Sequence, residues 1–209
     1  MENAFFRGHG LGNDYLVVDP DELTFKLTPT AIRAICDRHW GVGSDGILAV
    51  TPAKGADFGL RIYNPDGSEA EKSGNGLRIF ARYLHATDKL KSERFTVSTK
   101  GGTVTITLHI DAHGDASAAT VEMGHATFVP KALPCTLEVP ELIEQPIVAA
   151  KRKLRFTGVS VGNPHCVVFR PAGKEWTRAE LLALGPELEN HPIFPRRTNV
   201  QLAVPTGPK

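Results

Sequence analysis

The chain has 209 residues, 41% hydrophobic and 22% charged, long enough for one large domain or two small ones with a substantial core; a short disulfide-stapled module and wholesale disorder are excluded. Lys plus Arg total 24 against 23 Asp plus Glu, a net charge of +1, so there is no whole-molecule field for gripping a phosphate backbone and no nucleic-acid partner is expected. No apolar run approaches the roughly eighteen residues that span a bilayer, Met1 to Leu16 lacks a basic head followed by an apolar stretch, and three widely spaced cysteines (Cys36, Cys135, Cys166) fit reduced thiols, so a cytoplasmic protein with no membrane partner is expected.

Ala4 to Arg7 reads as a short strand and Val17-Val18 as part of a second, with Gly8-His9-Gly10-Leu11-Gly12-Asn13-Asp14 as the loop between them. Thr28-Pro29 is an N-cap followed by proline at the first helical position, and Ile32, Ile35, Cys36 and His39 follow at helical spacing. Cys36 is therefore read as a core residue rather than a reactive thiol. Ile47 to Val50 and Phe58 to Tyr63 read as strands, the second ending in the turn Asn64-Pro65-Asp66-Gly67. Ser73-Gly74-Asn75-Gly76 opens a helix whose Leu77, Phe80, Ala81 and Leu84 fall on one face. Phe95 to Thr99 and Val104 to Leu108 flank Lys100-Gly101-Gly102 as a hairpin. The small, polar run His113 to Ser117 is taken as a boundary, giving domains 1–117 and 118–209. In the second, Ala119 to Met123, Leu154 to Val161, Cys166 to Phe169 and Thr198 to Val204 read as strands, and Thr177 caps a helix to Leu184.

Four segments place asparagine beside glycine or proline at the end of a strand or the start of a helix: Gly12-Asn13-Asp14, Tyr63-Asn64-Pro65, Ser73-Gly74-Asn75-Gly76 and Gly162-Asn163-Pro164-His165. Asn and Gly are ordinary turn formers, and any one segment needs no further explanation. Together they suit a zwitterion, because Asn offers donors and an acceptor without net charge and a glycine-rich helix start exposes backbone N–H groups to a carboxylate. Ser73 is both a good N-cap and a candidate acid–base group facing a cleft; its hydroxyl is a poor proton acceptor without an activating base, and no local pattern names one. His109 and His113 are spaced i, i+4 at a strand end and turn, so no metal is expected. His165 reads equally as a cleft residue or as one satisfied by local backbone.

The segments His9 to Asp14, Arg38-His39 through Gly43-Ser44-Asp45-Gly46, Ile62 to Ala70, Gly74-Asn75-Gly76-Leu77-Arg78, Gly162 to His165 and Phe194 to Val200 occur in an order that resembles the diaminopimelate epimerase family over essentially the whole chain. The resemblance implies an α/β (α+β) fold of two similar domains, each a sheet wrapped around a central helix, with a substrate cleft between them. It also implies cofactor-independent interconversion of LL- and meso-diaminopimelate in lysine and peptidoglycan biosynthesis, with Asn13, Asn64, Gly74, Asn75, Asn163 and Asn199 at substrate-binding positions. The implied partner is a small zwitterionic amino acid, and a homodimer is left open. The family moves the α-proton with two cysteines on opposite faces of the substrate. The position of the first is Ser73 here, and the second belongs to a Cys-Gly-Thr-Gly segment that the sequence does not reach by Lys209. A fragment of a longer product, with its second domain incomplete and its activity impaired, is the expected reading. A non-catalytic amino-acid-binding relative, or a one-base dehydratase or racemase acting on a hydroxyproline-type substrate, is the alternative.

Overall fold

The computed structural model describes residues 2–207. The chain divides after Met123 into two units with separate cores. In the first, β1 (Phe6–Gly10) and β2 (Asn13–Val18) form an antiparallel hairpin turning on Leu11-Gly12, both at positive φ (54° and 88°). Two such residues match the twist of the flanking strands, so most of the run read as a loop is paired strand instead. After α1 (Pro29–Cys36), capped by Thr28 as expected, β3 (Ile47–Thr51) lies parallel to β2 and antiparallel to β4 (Phe58–Tyr63), onto which the short β5 (Glu69–Ala70) folds back.

The central element is α2 (Gly74–Ala86). Beyond it, β6 (Arg94–Thr99) joins β4 in parallel, followed by the antiparallel β7 (Gly102–Ile110) and β8 (Ala116–Val121). Residues 111–115 are the turn that makes β7 and β8 a hairpin, and the expected division after Ser117 falls inside β8. Strands β1 and β8 lie at opposite ends of the sheet order, yet both pack against α2. The sheet therefore curls around the helix. Leu77, Phe80, Ala81 and Leu84 are fully enclosed, and Ile79 and Tyr83 nearly so. Only the stripe Arg78, Arg82 and Ala86 stays exposed, beside a groove of about 780 Å³ bordered by β1 and β8. This burial exceeds the single apolar face legible from helical spacing.

The second unit is a four-stranded sheet in the order β12-β11-β10-β9. Here β9 (Gln145–Ala149), β10 (Arg152–Ser160) and β11 (Pro164–Phe169) are antiparallel, and β12 (Asn199–Ala203) joins β11 in parallel. Helix α3 (Arg178–Glu189) packs on β9 and β12. Its start matches the Thr177 cap, which forms a reciprocal capping box with Glu180. It continues past Leu184 through Gly185-Pro186 because Leu184 and Leu188 are both fully buried against the sheet. Strand β9, which carries Pro146, is absent from the strands expected above; it is an edge strand, where a missing N–H is tolerated.

Phe80 fills the middle of the first core and packs edge-on against Phe58 and stacked with Tyr83. Phe80→Ala is expected to lower unfolding stability by about 3–5 kcal/mol, the usual cost of removing a buried aromatic, measured by urea denaturation of the full chain. A loss below about 1 kcal/mol would mean that the helix is not held by this core.

Candidate active site

Ser73 is the N-cap of α2: its backbone is extended and its Oγ accepts the Gly76 N–H at 3.0 Å. The amides of Gly74 and Asn75, first and second in the helix, have no acceptor within it and carry the positive end of its dipole. The cap reading and the site reading thus coincide in one residue. A partner that local sequence did not disclose is Tyr15, whose Oη lies 3.3 Å from Ser73 Oγ across 58 residues of chain. Burial pushes the Tyr15 phenol above its ordinary value; the hydrogen bond to Ser73 opposes this and the Asp45 charge adds to it.

Two expected asparagines meet at the same helix start. Asn75 Nδ2 donates to Asn13 Oδ1 at 3.3 Å, Asn13 Nδ2 donates to Asp45 Oδ2 at 3.2 Å, and Arg78 donates to Asn75 Oδ1. Behind them, Asp14 takes Arg7 on one oxygen and Arg38 on the other, both at 2.6 Å, and Arg38 also reaches Asp45 at 2.8 Å. Burial alone would raise the Asp14 carboxyl, but the hydrogen bonds and charges of Arg38 and Arg7 outweigh it and hold the group below its ordinary value. This alternation of carboxylates and guanidiniums fixes both amides while leaving little net charge. Asn64 makes its contacts within its own turn, donating from Nδ2 to Ser68 Oγ at 3.0 Å.

The other expected residues belong to the second unit. Asn163 Oδ1 lies 2.9 Å from His165 Nε2, and Gln201 Nε2 lies 3.0 Å from His165 Nδ1. Both ring nitrogens of His165 are engaged by side-chain amides, Nδ1 by Gln201 and Nε2 by Asn163. His165 is thus satisfied by side chains rather than by local backbone. Asn199, exposed at the start of β12, donates to the Pro164 carbonyl at 2.9 Å.

None of the cysteines offers a substitute thiolate. Cys36, the last residue of α1, is buried and receives the Ser44 hydroxyl at 3.4 Å, as expected of a core residue. Burial raises the thiols of Cys36 and Cys135, and drives that of Cys166 up to about 12. Among the described residues, no cluster of three or more His, Cys, Asp or Glu could hold a metal ion, and no helix is long and apolar enough to cross a membrane.

Comparison with known proteins places these features in a family. The sequence profile described as diaminopimelate epimerase matches residues 5–129. Diaminopimelate epimerase 2 of Nostoc sp. (strain PCC 7120) is 44% identical over 94% of this chain and 67% of its own length. The diaminopimelate epimerase of Methanothermobacter thermautotrophicus is 36% identical over 98% of this chain and 71% of its own. The chain thus spans about two thirds of the length of these relatives. Among solved structures, a probable proline racemase from Agrobacterium radiobacter aligns with TM-score 0.63 at 16% identity, covering 94% of this chain and 64% of that one. A Bacillus anthracis phenazine biosynthesis protein of the PhzF family aligns with TM-score 0.57 at 19% identity, covering 98% and 68%. At such identities the structural likeness speaks for the fold, which is the one expected.

The Asp14 cluster has a pH signature. Its native carboxyl titrates below the ordinary aspartate value of 3.8, so its stabilisation is complete above that value and is lost as pH falls through the lowered native one. Asp14→Asn is expected to cost about 1–2 kcal/mol at pH 7, discounted because both arginines are half-exposed. Urea unfolding across pH should show the gap between parent and variant constant down to about pH 4 and closing below it; a gap that widens in acid contradicts the assignment.

Proposed function

The chain belongs to the diaminopimelate epimerase family, whose reaction interconverts LL- and meso-diaminopimelate, and on that premise we propose that it binds a zwitterionic amino acid of the diaminopimelate type but does not invert it as it stands. The observation that carries this reading is the convergence of Ser73, Asn75 and Asn13 at the N-terminus of α2; the order of the sequence motifs supports assigning Ser73 to the position of the family's first catalytic cysteine. The free amides at the helix start suit the ligand's carboxylate, and the Asn13–Asn75 pair supplies further neutral hydrogen-bonding groups. Asn64 is proposed to contribute to the same recognition, and Asn163 and Asn199 are proposed as substrate-binding residues of the second unit.

Inversion at an α-carbon requires a base on one face and an acid on the other. At a helix N-terminus a thiol is readily ionised, because the anion gains the dipole and backbone N–H groups. A serine hydroxyl in the same place stays protonated, since its own acidity is far weaker and, among the described residues, no carboxylate or imidazole is hydrogen-bonded to it. The substitution therefore leaves binding groups intact and removes the proton acceptor.

Incubation of the full chain with LL-diaminopimelate in deuterated water, followed by mass spectrometry and by calorimetric titration, tests this. Saturable binding without α-deuteration is expected, and Ser73→Cys should gain slow α-deuteration. Deuteration by the parent on the order of 1–1,000 turnovers per second, the range of ordinary enzymes, would show that Ser73 does not disable the chemistry. Absence of any binding would refute the reading as a whole.

A further inference from the structure

Tyr15 and Ser73 differ sharply in burial: the tyrosine is 6% exposed, whereas the serine is only half-buried at the helix start. Their hydroxyls are 3.3 Å apart and either could donate by geometry alone. Burial decides the direction. A phenolic proton enclosed in the core must go to a protein acceptor or incur the desolvation cost of an unmade hydrogen bond, and Ser73 Oγ is the acceptor within reach. The Ser73 proton has no such constraint. A phenol is also the stronger donor of the two.

The surrounding backbone is shaped around this pair. A Cβ at Gly46 would fall 2.7 Å from Tyr15 Cε1 and 2.3 Å from the Tyr63 carbonyl oxygen, so only glycine admits the ring at this depth. A Cβ at Gly76 would fall 3.2 Å from Ser73 Oγ and 3.0 Å from Leu48 Cδ2. Small residues thus clear the space on both sides of one hydrogen bond.

From this arrangement we infer that Tyr15 is a positioning residue for the atom at position 73: its phenol and the Gly76 amide both donate to Ser73 Oγ and turn the serine's own proton outward. A serine hydroxyl has two lone pairs and one proton. With both lone pairs engaged, Ser73 presents only a donor, polarised by the two bonds it receives. It is then a ligand-binding group for an acceptor such as a carboxylate oxygen, beside the Gly74 and Asn75 amides, and not a latent base. The same phenol would donate to a thiolate at that position and stabilise it. This deepens the proposed function and rests on it only for the identity of the ligand; the hydroxyl pair itself stands on the geometry.

The test uses the full chain in Ser73→Cys and Ser73→Cys/Tyr15→Phe forms. The rate of thiol alkylation by iodoacetamide is followed from pH 5 to 10, with the unsubstituted chain subtracting the three native cysteines. Removing the phenolic hydroxyl should raise the pKa of the introduced thiol, slowing alkylation at pH 7 about tenfold, the effect of one pKa unit. Equal pH profiles in the two forms would overturn the inference. A second measurement does not depend on the double variant folding: the ¹³Cζ resonance of Tyr15 in the parent chain and in Ser73→Ala. A shift on losing the serine oxygen is expected, and an unchanged resonance would refute the pairing. Neither readout involves diaminopimelate, so failure here is distinct from failure of the ligand assignment.

Discussion

The enclosure of α2 by the curled sheet is the constraint on which the first unit depends. Because β1, β2, β7 and β8 all pack on it, the helix has almost no freedom to slide or rotate. Its N-terminus is thereby held still, and so are Ser73, Gly74 and Asn75. A helix start is useful to an anion only when its amides are fixed in advance, and here the hydrophobic burial of Leu77, Phe80 and Leu84 fixes them. Apolar packing and polar recognition are two ends of one element.

Polar groups at this end are organised by charge alternation. Asp14 is nearly buried and would be costly alone, but Arg7 and Arg38 each engage one of its oxygens. Arg38 and the Asn13 amide then share Asp45, and Asn13 passes the orientation on to Asn75. The result is a pair of amides whose donors and acceptors have set directions. In the second unit, a shorter series, Gln201, His165 and Asn163, sets the orientation of another amide. Neutral asparagines held by compensated surroundings match a zwitterion better than exposed single charges would.

On the proposed reading of position 73, a hydroxyl where the family uses a thiol changes the chemistry without disturbing this scaffold. Serine is the better N-cap, since its oxygen accepts the Gly76 amide at ordinary hydrogen-bond length. The same acceptance leaves it less able to take a proton. Meanwhile Cys36, Cys135 and Cys166 have thiols raised by burial, the reverse of what a thiolate catalyst requires.

Local chemistry determined much from the sequence by itself. The N-caps Thr28, Ser73 and Thr177 and the hairpin at Lys100-Gly101 depend on neighbouring residues only, and the ordered motif segments carried the resemblance that implied the fold class. What failed to show was decided by distant partners. The glycine-rich residues 8–14 became strand because β1 and β2 pair with each other, a choice that turn composition cannot reveal. Helix α3 outran its Gly-Pro breaker because Leu188 had a core to enter. Tyr15 is unremarkable in an apolar strand until the curl of the sheet brings its hydroxyl to Ser73. Backbone propensity acts over a few residues, whereas the partner of a buried proton is chosen by packing between segments far apart in the chain, and only the tertiary structure could supply it.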